Sequence, residues 1–575
     1  MIVLNLTHLM NNSRWLVSYP KAEAKNLSLE LGLPLEIAQI LVNRGICNPE
    51  SAYKFLFGTI DDLYDPFLMK DMRQAVTRIR KAISKKEKII IFGDYDVDGI
   101  LSVVMLSKAL ETLGADVNYF IPERLKEGYG LKEKYIDFIL EREASLVISV
   151  DCGIKATGFV QTAREKGIDV IITDHHRPGE KLPDALAILN PILPESGYPD
   201  KNLAGVGVIF KLIQALFENE RYASSLPHYL KLVSIGTIAD IAGLKGENRI
   251  FVKFGLKELE NVSNIGLKSL MDVCGLGKKK ISVGDVGYRI GPRINAAGRM
   301  GMADLAVKLF FARSHPQSLE IAHHIDVLNS QRQRIEERIY NQALERIKKR
   351  SLATRYKFLI LGCEEWHRGV IGIVSSKIKD IFYRPVIIFS YEDGKAYGSG
   401  RSISEFPLID CLDKCKDFFL SYGGHLMAVG CVLTQEKMIS LKKMINSLAD
   451  AMLSDEDLKR KIYVDAKINF SHLNFAFLEK FLLLFPFGAG NARPVFLTEK
   501  VEVMSEPEKI RNKHTKFLVK QQGRTFEALG WDKPDLAQRI NKGDRADLVY
   551  SLQVSEFRGE EKLCLYINDV KVRKE

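Results

Sequence analysis

Six aspartates and two histidines between residues 94 and 240 stand in four short runs that could do chemistry together. Asp94, Asp96 and Asp98 lie in GDYDVDG, Asp151 in VDCG, Asp174 beside His175 and His176 in DHH, and Asp240 in GTIADI. Carboxylates gathered at one place repel one another. At ~4 Å and an effective dielectric near 20, each unit pair costs about 4 kcal/mol. Such a group is tolerable only when protonated or bound to cations. Carboxylates with one or two imidazoles suit Mn²⁺, and also Mg²⁺ where oxygen dominates. Two such ions about 3.5–4 Å apart, bridged by a shared carboxylate, form a phosphoryl-transfer site that activates water and neutralises charge on the scissile phosphate. Each residue alone has a plainer use. Asp98, before Gly99, could cap a helix, and Asp174 could close an Asx turn. The joint pattern favours the metal reading.

The segments around these runs predict what brings them together. KIIIF (88–92) is a short β-branched run that stops at the first motif, and a helical period follows as far as Gly114. DVNYFIP reads as a strand and LKEKYIDFILERE as a helix. SLVISV is a strand ending before Asp151, Ile154 to Gly167 is helical, DVIIT is a strand ending before Asp174, and ALAIL is another strand. NLAGVGVIFKLIQALFE reads as a buried helix, and LVSIGTIA as a further strand leading into Asp240. Strands alternating with helices indicate a parallel sheet covered on both faces. In such a sheet the strand C-termini share one edge, where ligands bind. The acidic groups and imidazoles are therefore expected in one crevice.

Further along, apolar residues from Leu319 to Ile347 recur at helical spacing. The segment 314–350 is predicted as one amphipathic helix, roughly 50 Å long. A second α/β pattern (KFLILG, GVIGIVSSKIKD, PVIIFS) closes near residue 455. The remaining residues read as short strands with polar turns, which suggests a small barrel or sandwich. The first sixty residues read as short helices without chemistry. The expected divisions are 1–60, 61–313, 314–350, 351–455 and 456–575.

Composition agrees with several globular cores. At about 150 residues per domain, 575 residues suggest roughly four domains. Hydrophobic residues make up 46% and charged residues 27%, which excludes disordered and low-complexity classes. There is no apolar run long enough for a membrane span and no signal-peptide pattern at the start. The eight cysteines form no CxxC pair. Cys411 and Cys415 are one helical turn apart with no second pair, so they are expected to pack rather than bind zinc. A reducing compartment, the cytoplasm, is the expected location. The net charge of +11 weakly favours a polyanionic partner.

GDYDVDGI, VDCG, DHH and GTIADI resemble the four signature motifs of the DHH phosphoesterases. RINAAGR (293–299), WHRGVIGI (366–373), GSGRSI (398–403), GGHLMAVG (423–430) and PFGAGNARP (486–494) follow in order. Together they resemble the branch of that family that degrades single-stranded DNA from the 5′ end, over nearly the whole chain. The resemblance implies an α/β architecture: a parallel-sheet DHH domain, a long connecting helix, a second α/β (DHH-associated) domain and a C-terminal OB-fold β-barrel; the helices of residues 1–60 read separately as an N-terminal helical cap. It implies a single-strand-specific exodeoxyribonuclease of DNA recombination and repair that releases mononucleotides and uses two divalent metal ions, Mn²⁺ or Mg²⁺. Asp98, Asp151, His175 and Asp240 would hold one ion. Asp96, sharing Asp151, would hold the other, with Asp94 beside it. Asp174 would orient an imidazole, and His176 would face the substrate.

For DNA and a 5′-phosphate the resemblance implies Arg124, Arg293, Asn295, Arg299, Ser399, Arg401, Gly424 and His425. Arg124 could instead pair with Glu123 or Glu127, and Arg293 and Arg299 could be structural. Phe517, Phe526, Trp531 and Tyr550 are the aromatics available for base stacking in the terminal barrel, though strand aromatics usually belong to the core. Expected partners are single-stranded DNA and, beyond it, a single-strand-binding protein and a helicase, with no membrane and a monomeric chain. Val429 and Ala492 depart from the family pattern without touching a catalytic group. Two rivals are a DHH hydrolase of oligoribonucleotides or cyclic dinucleotides, which would not need the terminal barrel, and an inactive single-strand-binding scaffold, which would not need the intact acidic set.

Overall fold

The computed structural model describes residues 13–123, 130–218, 220–277, 279–557 and 560–573. Arg124 lies outside the described residues. The chain forms two compact units. One comprises Phe57–Arg334 with Phe485–Ala492, and the other holds the N-terminal helices, Ile335–Leu484 and the chain from Arg493 onward.

In the first unit, five parallel strands run in the spatial order Asp116–Phe120, Lys88–Gly93, Ala144–Val150, Asp169–Thr173, Ala187–Leu189. Two apolar clusters cover them. Ile89, Ile91, Leu146 and Ile148 pack toward the helix Val97–Thr112, and Ile90, Phe92, Val147 and Ile172 pack on the opposite face. Burial on both faces explains why these strands read as continuous apolar runs rather than as alternations.

Two expectations are corrected here. LVSIGTIA is no strand: Leu230–Ala239 is an α-helix, buried from Leu230 through Thr237. A helix enclosed on all sides has no polar stripe, so its sequence carries no 3.6-residue period, and its β-branched residues imitate a buried strand. LKEKYIDFILERE holds only a 3-10 turn, Glu133–Tyr135, and a short helix, Ile136–Glu141.

The long helix is present as His315–Lys349, 35 residues. Its Ala322, Ile325 and Leu328 belong to the core of the first unit. Its Ile339, Ala343 and Ile347 belong to a core in the second. There a mixed five-stranded sheet runs in the order Phe419–His425, Ala428–Thr434, Lys395–Arg401, Val386–Glu392, Leu359–Cys363. Cys411 and Cys415 are buried in its apolar cluster, and all eight cysteines are free thiols.

The C-terminal strands form a seven-stranded sheet that curls on itself. Its closure is partial rather than that of a complete barrel. Val495–Val503 meets His514–Gln521 at only two residue pairs, Glu502 with Lys520 and Val503 with Val519. Arg524–Gly530 meets Glu560–Val572 at three. The N-terminal segment is tied to this sheet region. Arg14–Val17 pairs in parallel with Lys461–Val464, Trp15 Nε1 donates to Asp569 at 3.0 Å, and His472 meets Glu36 at 2.8 Å.

Candidate active site

The acidic groups converge, from strand ends, helix ends and one loop. The chain leaves the strand Lys88–Gly93 into Asp94, and Asp96 becomes the N-cap of the next helix, its Oδ1 accepting from the Gly99 amide at 3.1 Å. The capping carboxylate is thus Asp96 rather than Asp98. Gly99 is required by this turn, because a Cβ there would lie 2.5 Å from the Asp94 carbonyl oxygen. Asp98, buried at 1% exposure, accepts from the amides of Gly205 and Val206, each at 2.7 Å. Those amides open the helix Gly205–Leu216, whose positive end faces the carboxylate. Asp151 follows its strand in a left-handed conformation (φ 59). Asp240 caps the C-terminus of Leu230–Ala239, so it arrives from a helix and not from the sheet.

His175 sits between them. Its Nε2 lies 3.1 Å from Asp151 Oδ1, 3.7 Å from Asp98 Oδ2 and 3.9 Å from Asp240 Oδ2. Asp174 is committed elsewhere. One of its oxygens accepts from the amides of His175 and His176 (2.7 and 3.0 Å) and meets His176 Nδ1 at 2.8 Å; the other accepts from the Ile154 amide at 2.9 Å. It therefore positions His176, whose ring remains about one-third exposed.

The electrostatics follow from burial and crowding. Burial, then Asp96, pushes Asp98 up to about 7 against its two backbone hydrogen bonds. Burial, then Asp98 and Asp96, pushes Asp240 up to about 8. Burial and four neighbouring aspartates drive Asp151 well above the carboxylate range. Burial and the adjacent His176 hold His175 down at about 4. Burial lowers His176 too, but the hydrogen bond and charge of Asp174 outweigh it and bring it up to about 9.

The donor set fits divalent ions. Two triads, Asp94–Asp96–Asp151 and Asp98–His175–Asp240, each offer one ligand atom per residue within 4.8 Å of the others. The buried His175 Nε2 makes no hydrogen bond although three carboxylates face it. A neutral imidazole nitrogen among mutually repelling carboxylates is the environment a divalent cation stabilises.

Of the DNA-contact candidates, Arg293 binds Asp326 of the long helix at 2.8 Å and the Arg289 carbonyl at 3.0 Å. It therefore clamps its own helix, Gly291–Arg299. Asn295 and Arg299 lie half-buried on that helix. Gly298 brings the helix against the loop that carries Asp94 and Asp96, where a Cβ would collide with the Tyr95 carbonyl. In the other unit, Ser399 and Arg401 lie two residues apart on Lys395–Arg401. A Cβ on Gly372, in the first turn of the helix Ile371–Phe382, would lie 2.9 Å from Ser399 Oγ and 3.6 Å from the Arg401 guanidinium. Gly424 and His425 are exposed on Phe419–His425, which pairs with Ala428–Thr434.

The C-terminal sheet carries a groove of about 960 Å³ lined by Phe475, Lys516, Arg524, Trp531, Lys562 and Tyr566, among others. Trp531 is 47% exposed and also borders a smaller pocket of about 290 Å³ with Arg460, Arg493 and Lys533. Phe517 and Tyr550 are buried in the core, and Phe526 packs edge-on against Phe470.

Known proteins share these parts. The DHH family N-terminal domain matches residues 88–237, the DHHA1 domain 355–451 and the RecJ OB domain 464–569. A Bacillus subtilis protein named single-stranded-DNA-specific exonuclease RecJ is 38% identical over 570 residues, covering 98% of this chain and 71% of that one. The chain belongs to the RecJ family. A RecJ of Haemophilus influenzae is 34% identical, covering 90% of this chain and 93% of its own. The crystal structure of RecJ in complex with Mn²⁺ from Thermus thermophilus matches with a TM-score of 0.83 at 28% identity, over 98% of this chain and 80% of that one. The corresponding Mg²⁺ complex matches with a TM-score of 0.76.

Sequence reasoning missed the pair Gly205 and Val206, whose amides hold Asp98. The signal was there: a GVG triplet opening an otherwise apolar helix leaves backbone amides accessible to an anion.

Proposed function

We propose that this RecJ-family chain hydrolyses single-stranded DNA from the 5′ end to mononucleotides, in DNA recombination and repair. The observation that carries this is the convergence of Asp94, Asp96, Asp98, Asp151, His175 and Asp240 on one centre in a chain of this family. Asp98, Asp151, His175 and Asp240 would hold one divalent ion, Mn²⁺ or Mg²⁺. Asp96 and Asp151, with Asp94 beside them, would hold a second. When bound, such ions supply a nucleophilic water at neutral pH and offset charge on the phosphate.

The protein's own groups do the rest. The Gly205 and Val206 amides fix the Asp98 carboxylate. Asp174 holds His176 through Nδ1, so that its ring donates from Nε2 to a phosphate oxygen. Arg401 and Ser399, on the strand beside the first turn of the helix Ile371–Phe382, would receive the terminal 5′-phosphate with Gly424 and His425. Asn295 and Arg299 would contact the strand beside the metal loop, while Arg293 acts mainly through its helix. Trp531, flanked by Lys516, Arg524 and Lys562 on one side and Arg460 and Lys533 on the other, would stack a base and track the backbone.

The chain would act as a monomer in the cytoplasm, with a single-strand-binding protein and a helicase as partners. No helix among the described residues is long and apolar enough to cross a membrane. The test is cleavage of end-labelled single-stranded and duplex DNA with Mn²⁺, Mg²⁺ or EDTA. Metal-dependent release of mononucleotides from single strands is expected, and duplex cutting or metal-independent activity would refute the reading.

A further inference from the structure

Immediately after Asp240 the chain does something costly. Ile241 sits at φ 61, the left-handed region in which a branched Cβ crowds its own backbone. The turn itself is explained. The helix Leu230–Ala239 ends with the Ala242 amide donating to the Thr237 carbonyl at 3.2 Å and the Ile241 amide to the Ile238 carbonyl at 3.2 Å. This closing motif requires one left-handed residue, and glycine is its usual occupant. The turn explains the conformation but not the isoleucine. Among the described residues, Ile241 is the one β-branched side chain with positive φ.

Packing does not explain it either. Ile238, Ala239 and Ala242 all pack against the core of their unit, whereas Ile241 is 75% exposed. A branched apolar side chain is thus held in solvent, in a strained conformation, one residue from a carboxylate that faces His175 at 3.9 Å. Consecutive Cα atoms lie about 3.8 Å apart, so the backbone of Ile241 lies one residue step from the centre. Strain at such a place points to a role in binding.

We infer that Ile241 is a substrate contact: its side chain packs on the deoxyribose or base of the nucleotide whose phosphate is held beside Asp240. The inference rests on the nuclease reading above. A branched aliphatic group offers a nucleic acid nothing but apolar surface, so it grips without reading sequence. It would set the affinity for the nucleotide at the cut and contribute little to the bond-breaking step.

The test uses the full chain with Ile241→Gly and Ile241→Asn, both residues that accept positive φ, and Ile241→Val, which keeps a branched apolar group. For Gly and Asn the thermal midpoint should hold or rise, and Mn²⁺ affinity by calorimetry should stay unchanged. The KM for oligothymidylate should rise about tenfold with kcat nearly constant, the scale of one lost apolar contact, and Val should restore most of it. An unchanged KM overturns the contact. A KM change that comes with lost Mn²⁺ affinity overturns it too, because Ile241 would then act through Asp240. If the wild-type chain cuts no single strand, the nuclease reading fails. The contact is then judged by anisotropy of a 3′-labelled oligothymidylate, which the Gly and Asn variants should bind more weakly than wild type.

Discussion

The acidic centre and the groove of the C-terminal sheet face the same kind of polymer with opposite means. At the centre, Asp98 and Asp151 are almost wholly buried, and their carboxylates repel one another until a cation arrives. In the groove, cations and a half-exposed tryptophan lie open to solvent. Buried charge in a fixed geometry is suited to bond breaking, because it needs no reorganisation at the moment of reaction. Exposed charge and aromatic surface are suited to holding a strand loosely enough to let it move. Mutations in the two regions should therefore divide cleanly between turnover and affinity.

The sharpest break is Asp98→Ala or His175→Ala. Each should lower cleavage by at least ~10³-fold, the scale of a lost transition-state electrostatic contact, with single-strand affinity in EDTA unchanged. Wild-type thermal stability should rise with Mn²⁺ by about 2.7 kcal/mol for one site at a hundredfold excess over Kd, and the rise should shrink in His175→Ala, which leaves only the Asp94–Asp96–Asp151 group. Cleavage retained by either purified variant would remove the centre from the mechanism.

A smaller effect tests whether the centre depends on its supporting shell. Asp174→Asn keeps the size of the side chain but removes the charge that holds His176 at 2.8 Å. Turnover should fall about 10–100-fold while KM and Mn²⁺ affinity change little. A change confined to KM would mean that His176 binds the strand and takes no part in turnover.

How far the sequence could be read divides along the same line. The strand ends at Asp94, Asp151 and Asp174 were legible because a doubly covered parallel sheet leaves apolar runs that stop abruptly at polar turns. Asp240 was placed at the centre by its motif, but through the wrong element, because the enclosed helix Leu230–Ala239 has no polar face to reveal its period. The amides that hold Asp98 have no letter of their own and showed only indirectly, in the GVG triplet that opens the helix Gly205–Leu216. In the C-terminal sheet, the strands were legible but not the faces. Phe517 falls in the core on the inward alternation of His514–Gln521, Tyr550 is fully buried, and Trp531 lies at the surface in the turn after Arg524–Gly530, where no strand alternation applies. The parallel pairing of Arg14–Val17 with Lys461–Val464 joins segments too far apart in the chain for any local pattern to predict.

A further substitution asks whether end recognition separates from both regions. Arg401→Ala should slow cleavage of a 5′-phosphorylated strand about tenfold, as one charge-assisted hydrogen bond is lost, and leave a 5′-hydroxyl strand nearly unaffected. Equal slowing of both strands would show that Arg401 supports its sheet, through its 2.7 Å bond to the Gly400 carbonyl, rather than a phosphate.

The smallest expected effect bears most directly on the groove. Trp531→Ala should weaken single-strand binding about fivefold, the low end for a stacked base. The low end applies because the indole is already in T-shaped contact with His514, with ring centroids 4.3 Å apart, and with Tyr566 at 5.9 Å, so that only about half of the residue is exposed to a base. Trp531→Phe should recover most of the loss, since stacking needs a ring and not the indole N–H. The slope of affinity against salt should stay constant in both variants, because no phosphate contact is removed. Lys533→Gln, across the same tryptophan, should do the reverse: a modest loss of affinity with the slope reduced by about one unit. If Trp531→Ala instead flattens the salt slope, the ring is a spacer that sets the position of Arg460 and Lys533, and the groove holds the strand by charge alone.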